Sequence, residues 1–176
     1  NARRTAGRVA RHRAHWPCGW PKAGAVARAR AGGRGPLWIS AVTQTQGRGR
    51  RGSAWISELG NLFATLLLTE PSSPEHAPQL SFVAALALHD AIAQSAPSIG
   101  PLLKVKWPND LLLSGKKLAG ILIEGERAPV FAAAIGLGVN CSGHPPATAY
   151  PAAALKAARS LVPPAQCLPR PSPRRP

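Results

Sequence analysis

Apolar residues recur at three- and four-residue steps in one long stretch of this chain. Between Pro78 and Ala96 they are Leu80, Val83, Ala84, Ala87, Leu88, Ala91 and Ile92, which predicts an amphipathic helix that Pro97 terminates. The other apolar runs are shorter and bounded by glycine and proline. Leu37 to Gln44 reads as a strand after Gly35-Pro36, and Asn61 to Thr69 as a second, closed by Pro71 to Pro74. Leu102 to Trp107, Leu111 to Leu113, Leu118 to Glu124 and Val130 to Leu137 predict further strands, with Ser114-Gly115 as a tight hairpin turn. A short helical stretch from Ala25 to Ala31 begins the ordered part. The pattern as a whole predicts an α+β domain: a mixed, largely antiparallel sheet with helices packed on one side.

Charge changes the picture at the ends. The 176 residues fit one domain, and the formal net charge is +15. Residues 1–34 carry nine bases and no acid, and residues 156–176 carry five bases and no acid; residues 35–155 carry eight bases and seven acids. The excess therefore sits in the ends, which weakens a nucleic-acid footprint as the meaning of the high pI. Three segments are expected: a poorly ordered basic stretch over 1–34, a nearly neutral domain over 35–155 and a proline- and arginine-rich tail over 156–176. An organelle transit peptide would also suit the first segment, but not the matching bias of the last. Cys18, Cys141 and Cys167 share no metal-ligand spacing, and the histidines form no ligand pair, so neither a metal cluster nor a disulfide framework is expected. That favours a reducing cytoplasm. No apolar run approaches membrane-spanning length.

Three blocks carry chemistry. Gly47, Gly49 and Gly52 match G-x-G-x-x-G after a strand, yet Ser53 to Gly60 shows no helical run, which excludes a dinucleotide fold. No Gly-Lys-Ser/Thr ends the block, so it is not a Walker loop. Its variable positions, Arg48, Arg50 and Arg51, offer bidentate grips on phosphate; by itself the block also fits a solvated basic hairpin tip. Lys106-Trp107-Pro108-Asn109-Asp110 sets a cation, an amide and a carboxylate around a proline turn, though Pro-Asn-Asp is good turn chemistry in its own right. Lys116-Lys117 precedes an apolar strand in which Gly120 suggests close approach of a ligand. Gly136-x-Gly138-x-Asn140 follows another strand and equally fits a strand-ending turn.

In this order and at these separations, the blocks resemble the catalytic domain of biotin protein ligases, over roughly Ala29 to Leu155. The resemblance implies an ATP-dependent ligase that forms biotinyl-5'-AMP from biotin and ATP and passes biotin to a lysine of a biotin carboxyl carrier protein or carboxylase acceptor domain. It implies that Gln44, Gly47, Arg48, Gly49, Arg50, Lys117 and Gly120 bind biotin, with Gln44 at its head group. Arg48, Arg50, Trp55, Asn109 and Asn140 would face the nucleotide. Lys117, Arg50, Lys106 and Asp110 would act in catalysis, with Asp110 on the side of a Mg²⁺ carried by the phosphates. The family's Ser-Thr-Asn motif is missing; the region that should carry it reads Trp20-Pro21-Lys22-Ala23-Gly24. The acid-free ends lead to the expectation of a shifted reading frame, an incomplete domain and impaired activity. The rivals are a lipoate–protein ligase, a basic nucleic-acid-binding protein and a non-functional truncated product. With no helix-turn-helix segment, DNA is not an expected partner, and neither is a membrane.

Overall fold

The protein is described here by a computed structural model. It covers residues 11–15 as backbone, and residues 19–71, 73–127, 129–146, 148, 150–158 and 163–168 in full. Cys18, and the side chains of His12 and His15, lie outside the described residues.

Among the described residues, seven strands and two α-helices make the domain. In chain order they are β1 (Arg11–His15), α1 (Pro21–Arg30), β2 (Leu37–Ala41), β3 (Leu62–Thr69), α2 (Leu80–Ser95), β4 (Leu103–Lys106), β5 (Asp110–Leu113), β6 (Lys116–Glu126) and β7 (Ala132–Val139). The strands form one sheet in the order β1-β2-β3-β7-β6-β5-β4. Only the β1–β2 pair is parallel, so the sheet is mixed and largely antiparallel, as its pattern predicts.

Strand alternation sends successive side chains to opposite faces. On one face Leu62, Ala64, Ile121, Ile135 and Leu137 meet Ala85, Leu88 and Ile92 of α2. On the other, Leu37, Ile39, Leu67, Ala132 and Ala134 meet Ala25 and Ala29 of α1. The helices thus cover opposite faces, where the sequence predicted one side. Alternation reveals that a strand has two faces but not how many of them a helix covers.

The ends are also better packed than their composition suggests. Helix α1 begins at Pro21, ahead of the predicted Ala25, with proline in the first turn, where its missing N–H costs nothing. Its alanines are small enough to bring the helix close to the sheet, and Ala25 is fully buried. Near the C-terminus the turn Pro164–Cys167 lies on α2, and Cys167 is fully buried among the α2-side residues. Both segments lie in regions expected to stay outside the core. Among the described residues no helix is long and apolar enough to cross a membrane.

Candidate active site

The α1-covered face changes character along β6 and β7. Paired across these strands are Glu124 with Ala134, Leu122 with Gly136, and Gly120 with Gly138. Helix α1 covers the Ala134 row, and beyond its N-terminus the sheet presents glycine. The result is a cavity of about 500 Å³ whose floor is Gly120, Gly136 and Gly138.

A β-bulge aims Lys117 into this space. Leu111 of β5 pairs with Ala119, but its neighbour Leu112 pairs with Lys117, leaving Leu118 as the extra residue. The bulge reverses the alternation, so Lys117 joins Gly120 on the cavity face while Leu118 stays buried on the α2 side. The Lys117 backbone is held from outside the sheet. Its N–H donates to Pro151 O at 2.7 Å, and its carbonyl accepts from Ala153 N–H at 2.9 Å. Asp110, opposite Gly120, lies 2.8 Å from Lys117 Nζ through Oδ1, and the two side chains are largely buried.

Opposite the floor stands the glycine-rich hairpin. Trp55 N–H donates to Gly47 O at 2.9 Å, Gly49 N–H donates to Ser53 O at 2.7 Å, and Arg48 bridges Ala54. Glycine is required here: a Cβ on Gly47 would sit 2.4 Å from Trp55 O. Arg51 (φ 53°) and Gly52 (φ 76°) make the tip, where Arg51 is exposed, while Arg48 and Arg50 line the cavity. Arg50 Nη1 donates to Asn109 Oδ1 at 3.3 Å. Asn109 is fixed by β6: its Nδ2 donates to Ile121 O at 2.8 Å, and its carbonyl accepts from Ile121 N–H at 2.8 Å. Cations from the hairpin and from β6 therefore converge on one space.

Trp55 lies flat on the glycine floor. A Cβ at Gly138 would approach its Cε2 to 2.7 Å, and one at Gly120 its Cζ3 to 3.0 Å. Lys117 Nζ is 5.6 Å from the Trp55 ring centroid. The indole Nε1 is buried without a hydrogen-bond partner.

Of the residues singled out in the sequence, Gln44, Arg48, Gly49, Arg50, Trp55, Asn109, Asp110, Lys117, Gly120 and Asn140 all line the cavity. Gly47 lines an adjoining dent with Gln44 and Arg48. Lys106 is not brought in; its ammonium sits 3.8 Å over the ring of Tyr150, a residue of the cavity wall. Asn140 also braces the fold. Its Nδ2 donates to Ala153 O at 3.1 Å, tying the end of β7 to the segment that holds Lys117. Gln44 Nε2 donates to Ser57 Oγ at 3.0 Å, bracing the hairpin base.

Sequence reasoning missed Trp20, Lys22, Thr65 and Tyr150, which also line the cavity. It also missed buried Asn61, whose Oδ1 accepts from the N–H groups of Cys141, Ser142 and Gly143 at 2.9, 2.8 and 3.2 Å. An asparagine just before a strand, facing a glycine turn far along the chain, gave no local signal. Lys22 is fully buried, with Nζ 2.8 Å from Glu124 Oε1 and 4.1 Å from the Trp20 ring centroid. Burial lowers its pKa below the ordinary 10.5, against the raising effect of Glu124.

A sheet face stripped to glycine lies beneath an arginine hairpin in this α+β domain, and the space between them is lined by cations. The sequence pattern of the Biotin/lipoate A/B protein ligase family matches residues 31–140, and the chain belongs to that family. It is 49% identical over 119 residues to the biotin–[acetyl-CoA-carboxylase] ligase of Paracoccus denitrificans, covering 65% of this chain and 48% of that protein. Against the bifunctional ligase/repressor BirA of Bacillus subtilis (strain 168) the identity is 39% over 110 residues, with 61% and 33% covered. The chain thus spans about a third to a half of the length of these curated relatives. The crystal structure of the biotin protein ligase of Leishmania major in complex with biotinyl-5-AMP superposes with a TM-score of 0.76 at 26% identity, covering 89% of this chain and 70% of that one.

Proposed function

We propose that this chain is the catalytic part of a biotin–protein ligase, which forms biotinyl-5'-AMP from biotin and ATP and then transfers biotin to a lysine of a carboxylase acceptor. The observation that carries the reading is the convergence of Arg48, Arg50 and Lys117 on one glycine-floored cavity. Adenylation joins two anions, a carboxylate and the α-phosphate, and fixed cations offset their repulsion and the charge that develops on reaction. A carboxylate oxygen attacks the α-phosphorus and pyrophosphate leaves. The acceptor amine then attacks the acyl carbon, AMP leaves and the amine loses a proton.

Lys117 is the residue placed to touch the reacting carboxylate and phosphate. Asp110 restrains its ammonium at 2.8 Å, which orients the cation before substrate arrives. Arg50, anchored on Asn109, and Arg48 hold the phosphate side. Trp55, with a spare N–H, borders the nucleotide. Lys106 belongs to the rim and not to the reacting centre. Among the described residues, no group of three or more acidic, histidine or cysteine side chains could hold a metal ion. The one carboxylate in the cavity wall, Asp110, already pairs with Lys117, so Mg²⁺ would be held chiefly by the phosphates that bring it. Two free buried thiols, Cys141 and Cys167, suit a reducing compartment such as the cytoplasm.

Pyrophosphate release from ATP, measured with biotin, with lipoate and with neither, tests the reading. Biotin-dependent release that is lost in Lys117→Ala and Arg50→Ala is expected. Lipoate-dependent release would replace the reading with the lipoate ligase, and no release with either acid would mark a non-functional product.

A further inference from the structure

Two thiols meet on the α2 side of the sheet, away from the glycine floor. Cys141 lies just past the end of β7, and Cys167 closes the turn Pro164–Cys167 that rests on α2. Both are free and buried, in one cluster with Leu62, Leu88 and Ile92. A buried cysteine is ordinarily a small apolar residue with a weak S–H donor. Here the Cys167 thiol donates to the Cys141 sulfur, so the two side chains face each other. Sulfurs within hydrogen-bond reach are placed for one to attack the other once it is oxidised.

The two cysteines are not equivalent. The hydrogen bond from Cys167 lowers the pKa of Cys141, against the raising effect of burial and with help from the Leu62 backbone. The same bond, with burial, pushes the Cys167 thiol up. Cys141 therefore has the more nucleophilic sulfur, and Cys167 keeps its proton. Their backbones differ as well. Cys141 is fixed, its N–H donating to Asn61 Oδ1 at 2.9 Å and its carbonyl accepting from Lys156 N–H at 2.9 Å. The short turn of Cys167 is held to α2 by Ser95 Oγ, which donates to Gln166 O at 3.3 Å. Opening that turn admits a water-sized oxidant. The chain contains no methionine, so its cysteines are the side chains such an oxidant attacks first.

We propose that Cys141 and Cys167 form an oxidisable pair, which a small peroxide converts to a disulfide that fastens the C-terminal turn to the end of β7. The Cys141 thiolate attacks one peroxide oxygen; the O–O bond breaks, hydroxide leaves and a sulfenic acid remains. The Cys167 sulfur then attacks the Cys141 sulfur, the S–O bond breaks, and the Cys167 proton leaves with the hydroxyl as water. The two sulfurs lose two electrons and the peroxide gains them. The bridge closes a loop that contains Pro151 and Ala153, which hold the Lys117 backbone. Oxidation thus stiffens one wall of the cavity without using any of its side chains, and the pair does not depend on the function proposed above.

The experiment treats the folded full chain with hydrogen peroxide and then with a dithiol reductant, reading non-reducing peptide mass maps and the thermal midpoint. Peroxide should yield one linked pair of peptides, carrying Cys141 and Cys167 and lighter by two hydrogen atoms than their sum. The midpoint should rise by about 3 °C or more and return on reduction, because the bridge restricts the unfolded chain. In Cys167→Ser the reaction should stop at a Cys141 sulfenic acid that dimedone captures, with no rise in the midpoint. If Cys167→Ser does not fold, the linked peptide and the reversible rise in wild type decide. Thiols left unreacted, a Cys141 sulfinic acid without the linked peptide, or a link to Cys18 overturns the proposal. A Cys141–Cys167 bridge with an unchanged or lower midpoint also overturns it, since the turn would then not be fastened.

Discussion

The two faces of the sheet are made of opposite materials. The α2 face is built from Leu62, Ile121, Ile135, Leu137 and Val139 and is filled by Leu88 and Ile92. The α1 face begins the same way, with Leu37, Ile39 and Leu67. It then gives way to Gly120, Gly136 and Gly138, where side chains would fill the cavity. One face uses its area to exclude water and stabilise the fold; the other forgoes that stabilisation to keep room for a ligand. Removing volume should therefore harm the first, and adding volume should harm the second.

The sharpest break of this comparison is functional. Lys117→Ala on the cavity face should lower biotin-dependent pyrophosphate release by about 10²–10³-fold, as removal of one preorganised charge-stabilising donor does elsewhere. Its thermal midpoint should stay near that of wild type if Lys117 serves the substrate; a large drop in the midpoint would show that the Asp110 pair serves the fold instead. Leu88→Ala on the opposite face should do the reverse. It should cost about 2–5 kcal/mol of unfolding free energy in urea titration, with activity per folded molecule retained.

Gly138→Ala sharpens the contrast by adding a single methyl group. Its Cβ would meet the Trp55 indole at 2.7 Å, and overpacking of this kind costs about 1–3 kcal/mol. Apparent ligand affinity should fall, and Trp55→Ala in the same chain should restore the stability but not the nucleotide affinity. Equal stability of Gly138→Ala and wild type would mean that Trp55 swings freely off the floor.

The smallest effect concerns pH. Lys22 has a folded-state pKa below its unfolded 10.5, so between those values the unfolded chain binds more protons and stability rises with pH. The contribution is at most about 1.4 kcal/mol per pH unit. Lys22→Met should remove this rise from the urea midpoint measured across the alkaline range. An identical slope in both proteins would show that the burial of Lys22 is relieved by solvent.

Strands β2 to β7, α2 and the hairpin of Gly47, Gly49 and Gly52 were legible in the sequence, because each depends on a short-range rule; β1 falls in the basic segment expected to be poorly ordered and was not. Apolar spacing sets the period, glycine permits the turn at Gly52, and proline ends the runs. The same rules collected most of the cavity residues, since Arg48, Arg50, Asn109, Asp110 and Lys117 stand in compact blocks. Only the tertiary structure decided which face of each strand is covered, and that α1 and α2 lie on opposite sides. It alone placed the bulge at Leu118 that turns Lys117 inward, and it alone moved Lys106 out to Tyr150. Lys22 is the plainest case. In the sequence it is one basic residue in a basic segment, and its burial against Glu124 depends on a contact 102 positions along the chain. Local periodicity carries no information about such a partner, because desolvation and charge pairing are set by what the folded chain brings near.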